Sequence, residues 1–154
     1  MFTIFNDTMA NIKIISASIR DGKKSDRVAL YLKNYITANN LAEAEVLDLS
    51  KYNFPLFTER FKFLKEVSSE LSEFVGKVNH ADAVIIVTPE YNGGYPAALK
   101  NIIDVLVDEW KHKPVAISTV SSGRLAALKA SFRCNLVCGK LALTQCLQCF
   151  RYQL

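Results

Sequence analysis

The chain has 154 residues, of which half are hydrophobic and 22% are charged, as expected for one globular domain with a real core. No apolar run is long enough to cross a membrane as a helix, and the N-terminus lacks the basic start and apolar centre of a signal peptide, so we expect a cytoplasmic protein. The formal net charge of +4 is uneven: residues 110–154 carry seven basic and no acidic side chains, but these form no compact cluster, so we predict neither a nucleic-acid nor a membrane partner.

Strands and helices alternate along the whole chain. Apolar residues at helical spacing, such as Val28, Leu32 and Ile36, predict amphipathic helices, and apolar runs such as Ala83 to Thr88 predict buried strands. This alternation is typical of a parallel sheet with helices on both faces. We expect one domain at residues 11–154 after a frayed N-terminal extension at residues 1–10. The predicted strands are 11–16, 43–49, 83–88, 114–120 and 147–152, the predicted helices are 24–39, 64–79, 96–110 and 125–137, and the segment 52–62 is irregular.

Three predicted loops lie at the carboxyl ends of the strands, at 16–25, 89–95 and 121–124. In sheets of this type the ligand binds at that edge, at the point where the strand order reverses. We therefore expect the groups that bind a ligand to lie in these three loops.

The first loop lies within the sequence SASIRDGKKSDR and leads into the first helix. Hydroxyl groups, an arginine and the N–H groups of a helix start together favour a phosphate site. The alternative is that Ser25 or Asp26 only caps the helix, which leaves Ser18 and Arg20 without a role. The predicted donors are Ser16, Ser18, Arg20 and Ser25, with Arg27 as an additional one.

The second loop lies within the sequence TPEYNGGYPAALKNIID, which runs from Thr88 to Asp104. Gly93 and Gly94 allow positive φ angles and a close approach of the backbone to a ligand. Pro96 suits the first turn of the following helix. We therefore predict a turn that brings its backbone against a flat ligand.

Four cysteines lie near the end of the chain, at Cys134, Cys138, Cys146 and Cys149. Their spacing can be drawn as a zinc or iron–sulfur site, but no histidine joins them, and cysteines in apolar segments pack as small hydrophobic side chains. We favour packing, and predict neither a metal site nor a structural disulfide.

Two of these motifs together resemble the NADPH-dependent FMN reductase family, which has a flavodoxin-like fold and includes quinone, azo-dye and chromate reductases. The first motif is SxR followed by a serine, here Ser18, Arg20 and Ser25. The second is PEYNG-x-x-P-x-x-LKN-x-x-D, here Pro89 to Asp104.

The resemblance implies a flavodoxin-like doubly wound parallel sheet with strand order 2-1-3-4-5, binding FMN and NADPH. It implies that hydride passes from the nicotinamide cofactor through the flavin to a quinone, free flavin, azo dye or similar acceptor, in a homodimer or homotetramer. No side chain is predicted as a general acid, a general base or a nucleophile. The first loop would hold the FMN phosphate, and the other two loops would contact the ring. The implied cofactor ligands are Ser16, Ser18, Arg20, Ser25, Arg27, Pro89, Glu90, Tyr91, Asn92, Gly93, Ser121 and Gly123.

The chain departs from the family pattern in two places. The third loop, SSGRLAALKASFR, has Ser121 and Gly123 but lacks the further paired glycines. The chain also stops at Leu154, where the last strand should end, so we expect the closing helix to be missing. Two alternatives stay open. One is an electron-carrier flavodoxin, against which the net charge of +4 argues, and the other is a truncated, non-catalytic interaction module.

Overall fold

The computed structural model describes residues 9–121, 133–134 and 144–146. Across this part of the chain five strands form one sheet, and each strand is parallel to its neighbour. The strands are β1 (Asn11–Ser16), β2 (Glu43–Asp48), β3 (Ala83–Pro89), β4 (Pro114–Val120) and β5 (Thr144–Cys146), and the helices are α1 (Ser25–Ala38), α2 (Ser69–Asn79) and α3 (Ala97–Val105). The order across the sheet is β2-β1-β3-β4-β5, which confirms the predicted doubly wound, flavodoxin-like fold.

Helices cover both faces of the sheet because the central strands are apolar on both faces. Ile14 and Ile15 are adjacent in β1 and both fully buried, and they point to opposite faces. Ile14 belongs to a cluster with Val28 and Ile36 of α1. Ile15 belongs to the larger cluster on the other face, which includes side chains of α2 and α3. The result is a three-layer sandwich with β1 and β3 at its centre.

Two helices are shorter than their apolar spacing predicts. The second helix was predicted from residue 64 but begins at Ser69, because the Ser68 hydroxyl accepts a hydrogen bond from the Leu71 N–H at 3.2 Å and caps the helix there. The third helix was predicted to reach Trp110 but ends at Val105, since the backbone of the next residue is extended. Trp110 lies beyond this helix but is still buried in the core, at 1% exposure.

Several predictions fall outside the described residues. They are the helix at 125–137 apart from 133–134, the strand at 147–152, the missing closing helix, most of the N-terminal extension, and the positions of Gly123, Cys138 and Cys149. The sheet does contain a fifth strand just before the predicted one, at Thr144–Cys146. Cys134 is buried. The division of the chain into an extension and one domain stays a prediction.

The described ranges contain neither a candidate membrane span nor a candidate metal site. No helix there is both long and apolar enough to span a bilayer. No group of three or more histidine, cysteine, aspartate or glutamate side chains there is arranged to hold a metal ion.

Gly76 lies inside α2, where glycine has no structural advantage. A Cβ atom built on Gly76 meets nothing within 4 Å. Because glycine is a poor residue for a helix interior, Gly76→Ala should raise the free energy of unfolding by about 0.5–1 kcal/mol. Urea unfolding monitored by circular dichroism would measure this change in the free energy of unfolding, with Gly22→Ala as the contrasting variant. Gly22 has a φ of +66°, so alanine there should destabilise the protein instead.

Candidate functional site

A cavity of about 320 Å³ lies at the carboxyl edge of the sheet. It is lined by residues that directly follow β1, by the end of β3 and by the end of β4. The chain runs outward from β1 to β2 and then returns to β3 on the other side of β1, so the strand order reverses at this point, where ligands bind in such sheets. The lining residues are Ser18, Arg20, Gly22, Lys23, Lys24, Ser25, Pro89, Glu90, Tyr91, Val120 and Ser121.

The start of α1 faces this cavity without a side-chain cap. The N-cap residue is Lys24, and no side chain makes a capping hydrogen bond, so the alternative that Ser25 or Asp26 caps the helix is wrong. The Ser25 hydroxyl is buried, and among the described residues it has no hydrogen-bond partner. A buried hydroxyl without a partner is energetically costly, and here it lies in the wall of a cavity at the start of a helix.

The cationic side chains of the first loop are of two kinds. Lys23 is paired within the protein, because its ammonium group contacts the carboxylates of Asp48 and Asp26 and donates to the Ser50 hydroxyl at 2.6 Å. Arg20 and Lys24 are exposed, and the described part of the chain offers neither of them an ion-pair partner. Among the described residues, therefore, the charges of Arg20 and Lys24 are not paired with a carboxylate.

Lys23 and Asp48 fasten the first loop to the end of β2. Burial alone would raise the pKa of the Asp48 carboxyl, but hydrogen bonds from Lys23 and Ser50 outweigh burial and lower this pKa below its ordinary value. A lowered carboxyl pKa stabilises the folded state at neutral pH, and that contribution is lost as the pH falls through the pKa of the folded state.

Asp48→Asn should therefore be less stable than the unsubstituted protein at pH 7. The difference in the free energy of unfolding should shrink as the pH falls below about 4, where the carboxyl of the unfolded chain becomes protonated. Urea unfolding at several pH values between 7 and 3 would measure this difference. Asp21→Asn is the matched control, since Asp21 is an exposed residue of the same loop. Equal effects of both substitutions at every pH would contradict the assignment.

The second loop is a tight hairpin-like turn from Tyr91 to Gly94. The N–H group of each of these residues donates to the carbonyl of the other at 2.9 Å. The two central residues, Asn92 and Gly93, have φ angles of +51° and +77°, as in a type I′ turn. Gly93 thus has the positive φ predicted for it. Gly94 does not, because the asparagine takes that place in the turn.

Contacts between loops hold the turn against the rest of the site. The Tyr91 hydroxyl lies 2.7 Å from the Ser18 hydroxyl of the first loop. The Glu90 carboxylate accepts a hydrogen bond from the Gly93 N–H, and the Glu90 N–H donates to the Val120 carbonyl of β4 at 3.3 Å. Glu90 is therefore a structural part of the turn.

The structure brings together seven of the predicted ligands around the cavity, namely Ser18, Arg20, Ser25, Pro89, Glu90, Tyr91 and Ser121. Ser16 is fully buried, and its hydroxyl donates to the Asp26 carboxylate instead. Arg27 is exposed on α1, and Asn92 and Gly93 form the turn behind Tyr91; none of these three is a lining residue. Gly123 lies outside the described residues.

Sequence reasoning missed four lining residues, Gly22, Lys23, Lys24 and Val120. The run Gly-Lys-Lys directly before the helix was a usable signal for the first three, because a flexible glycine followed by two cations suits an anion site. Asn101, within the second motif, has a role that no pattern indicated. Its side chain accepts from the Phe57 N–H at 2.6 Å and donates to the Pro55 carbonyl at 2.9 Å, so it fastens the irregular segment to α3.

This fold and site define a parallel α/β protein with a cavity at the switch point of its sheet, and comparison with known proteins supplies the family. The chain matches the NADPH-dependent FMN reductase family over residues 10–147, and we conclude that it belongs to that family. The resemblance drawn from the two motifs is confirmed.

Individual relatives are similar to this chain at about 30% identity. The NAD(P)H-dependent FMN reductase LOT6 of Saccharomyces cerevisiae is 31% identical over 119 residues, covering 69% of this chain and 62% of that protein. A quinone reductase of Pseudomonas putida is 29% identical over 127 residues, covering 79% and 65%. An FMN-dependent NADPH-azoreductase of Staphylococcus aureus is 31% identical over 113 residues, covering 71% and 60%. This chain therefore spans less than two thirds of the length of these relatives.

Solved structures support the fold. The apo form of the NADH:FMN oxidoreductase EMOB superposes with a TM-score of 0.77 at 19% identity, covering 92% of this chain and 74% of that one. Identity this low supports the shared flavodoxin-like architecture and nothing finer.

Proposed function

We propose that this protein is an FMN-dependent NAD(P)H oxidoreductase that reduces a quinone, a free flavin, an azo dye or a similar small acceptor. One observation carries the proposal: the Ser25 hydroxyl is buried without a partner among the described residues, in the wall of the cavity at the uncapped start of α1. A phosphate group there would accept hydrogen bonds from this hydroxyl and from the helical N–H groups.

The other cavity residues fit a phosphorylated ligand with a flat ring. Arg20 and Lys24 supply positive charge for the phosphate, and the buried Ser18 hydroxyl lies on the same side. Pro89, Glu90 and Tyr91 form a second wall, whose turn is held rigid by its own hydrogen bonds. We assign the first set to the phosphate of FMN and the second set to its ring. Ser16 and Arg27 have no direct part in this assignment.

The chemistry of the proposed reaction belongs to the cofactor. FMN, when bound, accepts a hydride from a nicotinamide cofactor and passes reducing equivalents to an acceptor. The protein has to bind the ring, exclude water from one side of it and keep the other side accessible. The lining residues supply hydroxyl groups, positive charge and a second wall, which match this limited role.

The absorbance spectrum of the purified protein tests the proposal. FMN is added, unbound flavin is removed, and NADPH or NADH is added without oxygen. We expect a protein-bound flavin band that bleaches on addition of either nucleotide and returns with a quinone or an azo dye. A bound band that never bleaches would favour an electron carrier, and no bound band would favour a non-catalytic interaction module.

We also propose that the protein forms a homodimer through residues 52–67, which comprise the irregular segment 52–62 and the residues that connect it to α2. Four large apolar side chains of this segment are exposed and could be buried against a second copy, and Asn101 fastens the segment to α3. The four exposed side chains are Leu56 at 82%, Phe57 at 44%, Phe63 at 58% and Val67 at 41% exposure. The proposed location of the protein is the cytoplasm, which cell fractionation would test.

Light scattering at tens of micromolar tests the dimer. We expect twice the monomer mass for the unsubstituted protein and a monomer for Leu56→Asp. Leu41→Asp is the matched control, because Leu41 is also exposed, at 61%, but lies just after α1. A monomer mass for the unsubstituted protein would refute the dimer.

A further inference from the structure

The contact between Ser18 and Tyr91 joins the two walls of the cavity. Their hydroxyl oxygens lie 2.7 Å apart, and both residues line the cavity. Ser18 follows β1 and is fully buried, whereas Tyr91 follows β3. The hydrogen bond therefore connects the wall assigned to the phosphate with the wall assigned to the ring.

The donors and acceptors around Ser18 restrict what its hydroxyl can do. A serine hydroxyl has one proton to donate and two positions that accept. The Arg20 backbone N–H, which can only donate, lies 3.3 Å from the Ser18 oxygen and takes one accepting position. One proton and one accepting position remain, to be shared between Tyr91 and any ligand in the cavity.

A phosphate oxygen near Ser18 fixes the direction of this hydrogen bond. A phosphate dianion only accepts hydrogen bonds, so the Ser18 hydroxyl donates its one hydrogen bond to the phosphate. The Tyr91 hydroxyl must then be the donor to Ser18. A hydroxyl that accepts hydrogen bonds becomes a stronger donor itself, so the tyrosine strengthens the contact between Ser18 and the phosphate.

We propose that Tyr91 is a positioning residue for the phosphate of the cofactor, acting through Ser18, as well as a wall of the ring site. This inference rests on the proposed function, because it takes FMN as the ligand. Tyr91 belongs to the second loop but strengthens the contact that Ser18 of the first loop makes with the ligand. This effect on binding requires a ligand that carries a phosphate.

Titrations with two flavins, one that carries a phosphate and one that lacks it, test the proposal. Dissociation constants of FMN and of riboflavin, which lacks the phosphate, are measured by flavin fluorescence for the unsubstituted protein, Tyr91→Phe, Ser18→Ala and the double variant. Tyr91→Phe should weaken FMN roughly fivefold, and Ser18→Ala should weaken it roughly tenfold or more. Neither should change the riboflavin constant by more than about twofold. The double variant should match Ser18→Ala, because Tyr91 acts through Ser18.

Tyr31→Phe serves as the matched control, since Tyr31 is exposed on α1 and stacks on Tyr35. Thermal unfolding of each variant shows that it is folded. If Tyr91→Phe weakens FMN and riboflavin equally, or if the two losses multiply in the double variant, Tyr91 acts on the ring directly and the inference is overturned while the proposed function stands. If the unsubstituted protein binds neither flavin, the proposed function fails and the inference with it.

Discussion

Replacing Arg20 by alanine should weaken FMN binding by about 1.5–3 kcal/mol, the usual contribution of a hydrogen bond to a charged group. Arg20 lines the cavity and is exposed, and the described residues provide no carboxylate that pairs with it. Its charge is therefore available to a phosphate. Fluorescence titration with FMN measures the loss, and riboflavin should bind the variant and the unsubstituted protein equally well.

Arg27→Ala is the matched control for this experiment. Arg27 is also an exposed arginine near the start of α1, but it does not line the cavity. Its removal should change FMN affinity by less than about 0.5 kcal/mol. Arg20→Lys should recover part of the lost affinity, since lysine keeps the charge but not the planar arrangement of donors. An unchanged FMN constant in Arg20→Ala would show that Arg20 is only a surface residue.

Replacing Gly93 by valine should remove most FMN binding, because it distorts the turn. Gly93 has a φ of +77°, which costs a non-glycine residue about 1–3 kcal/mol and is least accessible to a β-branched side chain. The turn can relieve this strain only by giving up the paired Tyr91–Gly94 hydrogen bonds. Tyr91 would then leave the cavity wall, so the dissociation constants of FMN and riboflavin should both rise by tenfold or more. A factor of ten corresponds to about 1.4 kcal/mol of binding free energy.

The neighbouring glycine provides the control. Gly94 lacks a positive φ, and a Cβ atom there would meet its nearest neighbour, the Tyr91 carbonyl oxygen, at an ordinary contact distance of 3.6 Å. Gly94→Ala should therefore keep its flavin affinity. Circular dichroism of Gly93→Val checks that the sheet is intact. Tight FMN binding by a folded Gly93→Val protein would show that the ring does not lie against this turn.

The fold was predictable because it depends on hydrophobic patterns that are local in sequence. The six-residue run at the start of β3 is apolar on both faces, and it appears in the structure as a central strand within one residue of its predicted end. Helix ends were less predictable, since the cap at Ser68 competes with apolar residues that continue the helical spacing upstream. The end of α3 follows from a change to extended backbone, which has no clear marker in the sequence.

The site was predictable as a set of loops but less so residue by residue. The motifs place Ser18, Arg20 and Ser25 correctly at the cavity wall. They do not show that Ser16 turns away to contact Asp26, because side-chain direction at a strand end depends on which partner lies nearby in space. The positive φ of Asn92 has a signal in the sequence, since Asn-Gly favours a type I′ turn, but the adjacent Gly93 and Gly94 offer a competing pair of positions for positive φ.

The hydrogen bond between Ser18 and Tyr91 joins positions that are 73 residues apart in the chain. The two loops meet because β1 and β3 pair in the sheet, so the cavity depends on contacts between distant parts of the chain. A flavin that needs both loops would bind the native state and not the unfolded chain. FMN at 100 times its dissociation constant should therefore raise the free energy of unfolding by about 2.7 kcal/mol. The amount of folded protein in a cell should then follow the supply of flavin.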